Sequence, residues 1–211
     1  MDFDVSSKKE KRGLLAGMLL GKGRKRQDNF FIQHDDRQRG YLFFKKELLE
    51  QITRKPVGVR SWSTAKGNRL WRIDPKLIPL TRIMLKRLYS GNTRQVTRSF
   101  LEGLTPQGIA IWFMDCGSRS FKRDKGKIRA LEVFLNTGLS PEANEVIVAY
   151  FAQVWGIHWG LSRNGSQSRL RLGTKAGKAF FGWLSPFIHP SMQGKINPSY
   201  NETATTYGKC F

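Results

Sequence analysis

Few side chains in this sequence have the types and spacing that catalysis or metal binding requires. The clearest candidates are Asp115 and Cys116, which are adjacent at the end of an apolar segment typical of a helix. Cysteine is a soft ligand that suits Zn²⁺ or Cu⁺, but neither another cysteine nor a histidine is near it in sequence. A helix C-terminus also disfavours a thiolate, so a nucleophilic role is not indicated. The three histidines, His34, His158 and His189, lack metal-ligand spacing, and we expect structural or surface roles for them.

Binding to a polyanion is the chemistry that the composition favours. The chain has 211 residues, and Lys+Arg 37 against Asp+Glu 16 gives a formal net charge of +21. A folded chain this basic most often binds nucleic acid. No apolar run approaches the roughly 18–20 residues of a membrane span, and no basic amphipathic helix suggests a lipid surface. We therefore predict a nucleic-acid partner, either double-stranded DNA or structured RNA, and no membrane.

The basic residues are interleaved with aromatic residues in segments that we predict to be strands, and they also follow two predicted helices. Arginine and lysine at such positions contact phosphates or guanine edges. Strand alternation turns about half of the residues toward the core instead. The predicted nucleic-acid-binding residues are Arg24, Lys25, Arg26, Arg60, Arg69, Arg72, Arg119, Lys122, Arg123, Lys125, Arg163, Arg169 and Arg171.

Hydrophobic periodicity and turn signals predict that these residues are carried by two copies of one plan. In the first copy we predict helices at 13–21, 37–52 and 75–89, with strands or hairpins at 23–35, 57–63 and 68–74. In the second we predict helices at 105–117, 140–155 and 175–188, a strand at 128–137 and a hairpin over 156–174. Repetition at this scale indicates internal pseudo-twofold symmetry.

The first helix of each copy is the candidate for the symmetry axis. Gly13, Gly17 and Gly21 recur every fourth position, although each glycine costs about 1 kcal/mol of helix propensity relative to alanine. Small residues at this spacing let another backbone approach closely. We therefore predict a helix interface between the copies, formed by these glycines with Ala110 and Met114 of the second helix.

Two segments carry a resemblance to a known family. LAGMLLGKG at 15–23 and IAIWFMDCGS at 109–118 resemble the two motifs of LAGLIDADG homing endonucleases and maturases. LTPQG at 104–108 and FIHPSMQGK at 187–195 are similar to flanking elements of the same family. The resemblance covers roughly residues 8–198 in the family's order and spacing.

The resemblance implies an α+β fold with pseudo-twofold symmetry, in which two αββαββα halves form a saddle of antiparallel strands. Such a saddle lies along the major groove of DNA, and the two motif helices meet at its centre. It also implies a monomer with half-domains at residues 8–103 and 104–198, followed by a polar tail at 199–211.

In this family each motif helix ends at an acid that binds a divalent metal, and this sequence departs from that pattern. The two acid positions fall on Lys22 and Cys116. Because Mg²⁺ requires hard oxygen ligands, we predict no catalytic residue, no metal and no cofactor, with Mg²⁺ only if cleavage survives. Asp115 either substitutes as a ligand or, as we favour, structures the helix end. Lys22 either holds a nucleic-acid phosphate in place of the metal or is a solvated lysine.

Three functions remain open at this point. We favour a nuclease-inactive nucleic-acid-binding protein that acts as an intron RNA-splicing maturase or as a DNA- or RNA-binding factor. The alternatives are an active homing endonuclease that makes double-strand breaks, and a structural component of a ribonucleoprotein with a protein partner. Cys116 and Cys210 are far apart, so we expect no disulfide framework and an intracellular, reducing compartment.

Overall fold

The computed structural model describes residues 3–125 and 127–197, with only the backbone described at positions 123 and 128. The tail predicted at 199–211 lies outside the described residues. Two αββαββα units follow one another along the chain. The first consists of α1 Lys8–Leu20, β1 Gly23–Arg26, β2 Asn29–Asp35, α2 Arg39–Thr53, β3 Gly58–Ser63, β4 Arg69–Asp74 and α3 Pro79–Leu88.

The second unit repeats the same order of elements. It consists of α5 Pro106–Cys116, β7 Gly117–Asp124, β8 Lys127–Leu135, α6 Pro141–Trp155, β9 Gly160–Asn164, β10 Gln167–Leu172 and α7 Thr174–Leu184. A linker joins the units through a two-stranded hairpin and a short helix: β5 Tyr89–Ser90, β6 Thr93–Arg94 and α4 Arg98–Leu101. Short 3-10 helices at Asp36–Gln38, Ser185–Phe187 and Pro190–Lys195 complete the described elements.

Local sequence signals explain where the motif helices begin. The Ser7 side chain accepts a hydrogen bond from the Glu10 amide at the start of α1, so this helix begins five residues before the predicted glycine. Thr105 accepts from the Gly108 amide at the start of α5, and Pro106 occupies the first position, where a missing N–H costs nothing.

Each unit folds its strands into one antiparallel sheet of four. The orders are β1-β2-β4-β3 and β7-β8-β10-β9. In the first sheet Ile32 pairs with Ile73, both fully buried, and in the second Leu170 pairs with the buried Leu135. We call the face that carries these four side chains the helix face, because α2 packs against β2 and β4, and α6 and α7 pack against the second sheet. The opposite face of each sheet is called the open face.

The two motif helices pack against each other at closer range than ordinary helix pairs do. A Cβ atom on Gly17 would lie less than 3.0 Å from the carbonyl oxygen of Gly108, and one on Gly108 would meet the Gly13 carbonyl as closely. A Cβ on Gly21 would collide with the Asp115 side chain. Only glycine permits this contact of one backbone against the other. Ala110 and Met114, which we predicted at this interface, are fully buried on α5, but the atoms nearest the three glycines belong to Thr105, Gly108 and Asp115.

The element pattern differs from the sequence-based expectation mainly around β7. A strand was predicted only at 128–137, whereas Gly117–Asp124 also pairs along its length with β8. Its sequence, GSRSFKRD, holds one large apolar residue and therefore has no clear alternation. The pairing with β8, rather than local propensity, makes this segment a strand.

Candidate nucleic-acid interface

The ends of α1 and α5 lie side by side, and Asp115 connects them. Its Oδ2 atom accepts a hydrogen bond of 2.9 Å from the backbone amide of Lys22. The Lys22 side chain is partly buried, and this burial lowers its pKa, while the Asp115 carboxylate raises it in opposition. The carboxylate of the second motif therefore fixes the backbone at the tip of the first.

Asp115 is held in a buried ionic cluster that joins the two units. Lys45 of α2 donates to Asp115 Oδ1, and both side chains are completely buried. Lys45 Nζ also lies 2.9 Å from His34 Nε2 and 4.3 Å from the centre of the Tyr41 ring. The Gln38 side chain is hydrogen-bonded to His34 Nδ1. We call Asp115, Lys45 and His34 the buried cluster.

The protonation states of the buried cluster follow from these contacts. Burial is the main cause that lowers the pKa of His34 to about 3, and the nearby Lys45 ammonium lowers it further. The ring is therefore neutral. It accepts a hydrogen bond from Lys45 at Nε2 and donates one to the Gln38 side chain through Nδ1. The 3.7 Å approach of His34 Nε2 to Asp115 is therefore not an ion pair. Burial lowers the pKa of Lys45 to about 8 despite its carboxylate partner. Burial raises the pKa of Asp115, but Lys45 and the other cluster contacts outweigh it and hold that pKa below its usual range.

The residues at the helix tips do not fit a divalent metal. Lys22 occupies one of the two positions that hold an acid in the family. Both carboxylate oxygens of Asp115 already accept hydrogen bonds, one from Lys45 and one from the Lys22 amide. Cys116 is buried, and its sulfur is a soft donor that suits Zn²⁺ or Cu⁺ rather than Mg²⁺. Within residues 3–125 and 127–197, no group of three His, Cys, Asp or Glu side chains could hold a metal ion. Mg²⁺ needs anionic oxygens that this arrangement does not offer.

Two basic side chains that we did not predict complete the helix tips in a pseudo-symmetric way. Arg94 of the linker donates to the Leu20 carbonyl at 3.1 Å and to the Gly23 carbonyl at 3.0 Å. The buried Lys195 donates to the Gly117 carbonyl at 2.7 Å, at the corresponding position of the second unit. Both cations therefore satisfy carbonyl groups where a motif helix passes into its strand. Lys195 ends the FIHPSMQGK segment that resembles the family, whereas no sequence signal singled out Arg94.

Strand register places seven of the predicted basic residues on the open face. Arg60 pairs directly with Arg72 across β3 and β4. Both lie on the open face, because the residues next to them in each strand, Val59 and Ile73, lie on the helix face. The Cζ atom of Arg169 lies 3.6 Å from the centre of the Phe134 ring. Arg72 and Arg171 are partly neutralised by Asp74 and Glu132. The seven are Arg24, Arg26, Arg60, Arg72, Lys122, Arg169 and Arg171.

Four other predicted residues lie on the helix face instead. Lys25 pairs with the buried Phe30 and donates to the Gly91 carbonyl. Arg119 pairs with the buried Val133 and donates to the Gly194 carbonyl. Arg69 and Arg163 fall on the same side by alternation and are exposed at the sheet margins. The remaining two are Lys125, in the turn after β7, and Arg123, whose side chain lies outside the described residues.

The comparisons with known proteins agree with this architecture. A model of the LAGLIDADG DNA endonuclease family matches residues 12–180. The protein named probable intron-encoded endonuclease 1 of Wickerhamomyces canadensis is 21% identical over 193 residues, which covers 86% of this chain and 81% of that protein. Protein RecA of Mycolicibacterium chitae is 25% identical over 208 residues, 91% of this chain and 47% of that relative. The chain thus spans about half the length of the first relatives that it matches.

Solved structures share the fold. The homing endonuclease I-WcaI, bound to its DNA recognition sequence, superposes with a TM-score of 0.74 at 17% identity, covering 93% of this chain and 96% of that one. The N-terminal LAGLIDADG domain of DUF199/WhiA gives a TM-score of 0.51 at 12% identity, covering 92% and 89%. The α+β homing-endonuclease fold expected from the sequence is confirmed. Because the family model also matches most of its length, the chain belongs to the LAGLIDADG DNA endonuclease family.

Proposed function

We propose that this protein binds nucleic acid along the open face of its two sheets and does not cleave phosphodiester bonds. The relative I-WcaI was solved on its DNA recognition sequence, and the two chains share their fold. Seven basic side chains on the open face here, together with the net charge of +21, supply the attraction to phosphates. A protein that binds nucleic acid without cleaving it would act as an intron maturase or as a DNA- or RNA-binding factor.

The absence of cleavage rests on one observation, the state of Asp115. It is the acid that the motif helices retain at their tips, and it is completely buried with its oxygens committed to Lys45 and the Lys22 amide. Releasing it toward a metal would leave the Lys45 ammonium buried without its carboxylate, which is strongly unfavourable. The alternative of an active endonuclease that recruits Asp115 would have to meet this cost.

Lys22 gives the centre of the interface a positive charge where the family has an acid. Lys22 follows the C-terminal end of α1, where the helix dipole favours a positive charge. We propose that the ammonium contacts a backbone phosphate that crosses the helix tips. The contact would position nucleic acid, because lysine supplies no activated water to attack phosphorus.

Cleavage and binding are tested together on the purified protein. The substrates are the DNA that flanks its gene and the transcript of any intron that hosts it, each with Mg²⁺ or Mn²⁺. We expect salt-dependent binding and no cut product. Faster splicing of the transcript would support the maturase role, whereas binding to duplex alone would support a regulator. A defined cut made by the unmodified protein would contradict the proposal.

Two variants sharpen this experiment. The binding constant K falls as salt rises, and Lys22→Ala is expected to make the plot of log K against log salt less steep. For duplex DNA the magnitude of the slope should decrease by about 0.9, the value for one lost phosphate contact. Lys66→Ala, at an exposed position in the β3–β4 turn, serves as a matched loss of one charge. An equal change in the two variants would show that Lys22 acts only through net charge.

A further inference from the structure

A basic cleft lies at the edge of the first sheet, where the linker hairpin meets β1, α3 and the loop before α6. One part, of about 330 Å³, is lined by Lys25, Arg82, Lys86 and Tyr89, with Asp28 as the acid at its edge. The part next to it, of about 370 Å³, shares Lys25 and Tyr89. We call the two parts together the linker cleft. Each volume lies within the range of sites for small organic ligands.

The charge of the linker cleft is strongly one-sided. The second part adds Arg24 and Arg94 to its lining, so five cations surround the cleft against the single carboxylate of Asp28. Helix α3 carries Arg82, Lys86 and Arg87 on its exposed side and has no acid in its sequence. A concentration of one sign in a concave site attracts a ligand of the opposite sign.

Tyr89 gives the cleft a planar apolar surface between these cations. Its ring is half-buried and lines both parts. Lys25 Nζ lies 5.8 Å and Arg94 Cζ 5.9 Å from the ring centre, so the ring is anchored at the junction of the two parts. An aromatic ring beside several cations is the combination that binds an unpaired nucleotide, with the base stacked on the ring and phosphates on the cations.

Of the five cations that line this cleft, one, Arg24, belongs to the open face that we propose to bind duplex. Lys25 points to the helix face, where it donates to the Gly91 carbonyl, whereas Arg24 points to the open face. The cleft therefore extends around the edge of the first sheet at β1. A base within an intact duplex cannot reach a ring placed there, but a splayed base or a single strand can.

The second unit is built differently at the place that corresponds to the linker cleft. After α7 the chain enters 3-10 helices instead of a hairpin, and Arg119, which corresponds to Lys25, donates to the Gly194 carbonyl and to Asn197 O at 3.0 Å. Since 3-10 helices follow α7 where the linker hairpin follows α3, we expect one such cleft per chain.

We propose that the linker cleft binds an unpaired nucleotide of RNA or single-stranded DNA, with the base against Tyr89 and adjoining phosphates on Arg82 and Lys86. This second site does not require the open face to bind duplex. A strand displaced or looped out beside a bound helix could occupy it while the open face holds the paired region.

Fluorescence anisotropy tests the proposal with single-stranded oligonucleotides of about 12 nucleotides, oligo-uridylate and oligo-deoxythymidylate. Arg82→Ala with Lys86→Ala is expected to weaken binding and to lower the salt slope by about 1.4, the value for two single-strand contacts. Tyr89→Leu is expected to weaken binding by about 5- to 150-fold with the slope unchanged. The relative affinity of the two oligonucleotides indicates whether RNA or DNA is the ligand.

Matched controls keep the result specific. Lys175→Ala with Lys178→Ala removes two exposed charges from α7, the counterpart of α3, and is expected to leave single-strand binding unchanged. Thermal melting checks that Tyr89→Leu is folded. Equal losses in the α3 and α7 variants, an unchanged affinity for the folded Tyr89→Leu protein, or no single-strand binding at all would overturn the proposal. Loss of duplex binding alone would affect only the proposed function of the open face.

Discussion

At the scale of single residues, the buried cluster converts an acid at the centre of the molecule into a structural group. Lys45 and Asp115 belong to different units and have no exposed side-chain surface. Removing one member of a buried ion pair leaves an uncompensated charge, whereas removing both does not. The energetic weight of the cluster can therefore be measured by comparing single and double substitutions.

Lys45→Met is expected to destabilise the protein by about 3 to 5 kcal/mol, because it leaves the Asp115 carboxylate buried without its ammonium. Lys46→Met, one residue further on α2, breaks only a partly exposed pair with Glu50 and should cost at most about 1 kcal/mol. Urea unfolding measures both. Lys45→Met combined with Asp115→Asn should cost less than the two single changes added together. Similar costs at positions 45 and 46 would show that the cluster has no special role.

Acid is expected to destabilise the fold through His34. Its folded pKa of about 3 is below the ordinary value of 6.5, so the unfolded chain binds the proton first. The stability that comes from keeping His34 neutral is fully present above pH 6.5 and is lost as the pH falls toward 3. Over that range the free energy of unfolding decreases by up to about 1.4 kcal/mol per pH unit. The lowered pKa of Asp115 acts in the same direction at still lower pH. Urea midpoints measured from pH 7 to 4 should fall less steeply in His34→Gln, and parallel profiles would rule out this role for His34.

At the scale of elements, the contact of α1 with α5 depends on the absence of side chains. Gly17→Ala is expected to destabilise by about 3 kcal/mol or more, because the methyl group would overlap the Gly108 backbone and neither backbone can move alone. Gly182→Ala is a matched control in α7, where a Cβ meets nothing within 4 Å. That change should stabilise by about 0.5 to 1 kcal/mol through helix propensity. Thermal unfolding would contradict the close packing if both changes stabilised the protein.

The elements and the pairing of the two motif helices were largely predictable from sequence, and the buried polar contacts between the units were not. The glycine spacing, the Thr105-Pro106 start and the repeated order of helices and hairpins are local signals that predicted the elements. The fold itself was implied by the resemblance of residues 15–23 and 109–118 to the LAGLIDADG motifs. Lys45 has no such signal, since a lysine between Phe44 and Lys46 looks exposed until Asp115, 70 residues away, is placed beside it. The face on which each strand arginine lies depends on register with a neighbouring strand. Charge and alternation within one strand could not separate Arg24 from Lys25.

At the scale of the whole molecule, a net charge of +21 attracts nucleic acid to every surface, so function requires that the charges be arranged. The structure divides the strand arginines and lysines between the open and helix faces of both sheets. A duplex that lies along the open face would contact only one of these sets. The division allows variants of equal charge to be compared, with one change in each unit.

Arg26→Ala with Lys122→Ala removes one open-face cation from each unit. Arg69→Ala with Arg163→Ala removes one helix-face cation from each. The first pair is expected to lower the slope of log K against log salt for duplex DNA by about 1.8, since each lost phosphate contact contributes about 0.9. The second pair lowers the net charge equally and should leave the slope unchanged. Equal slopes in the two variants would mean that duplex does not select the open face. A larger loss in the helix-face variant would place the duplex on the opposite side of the sheets.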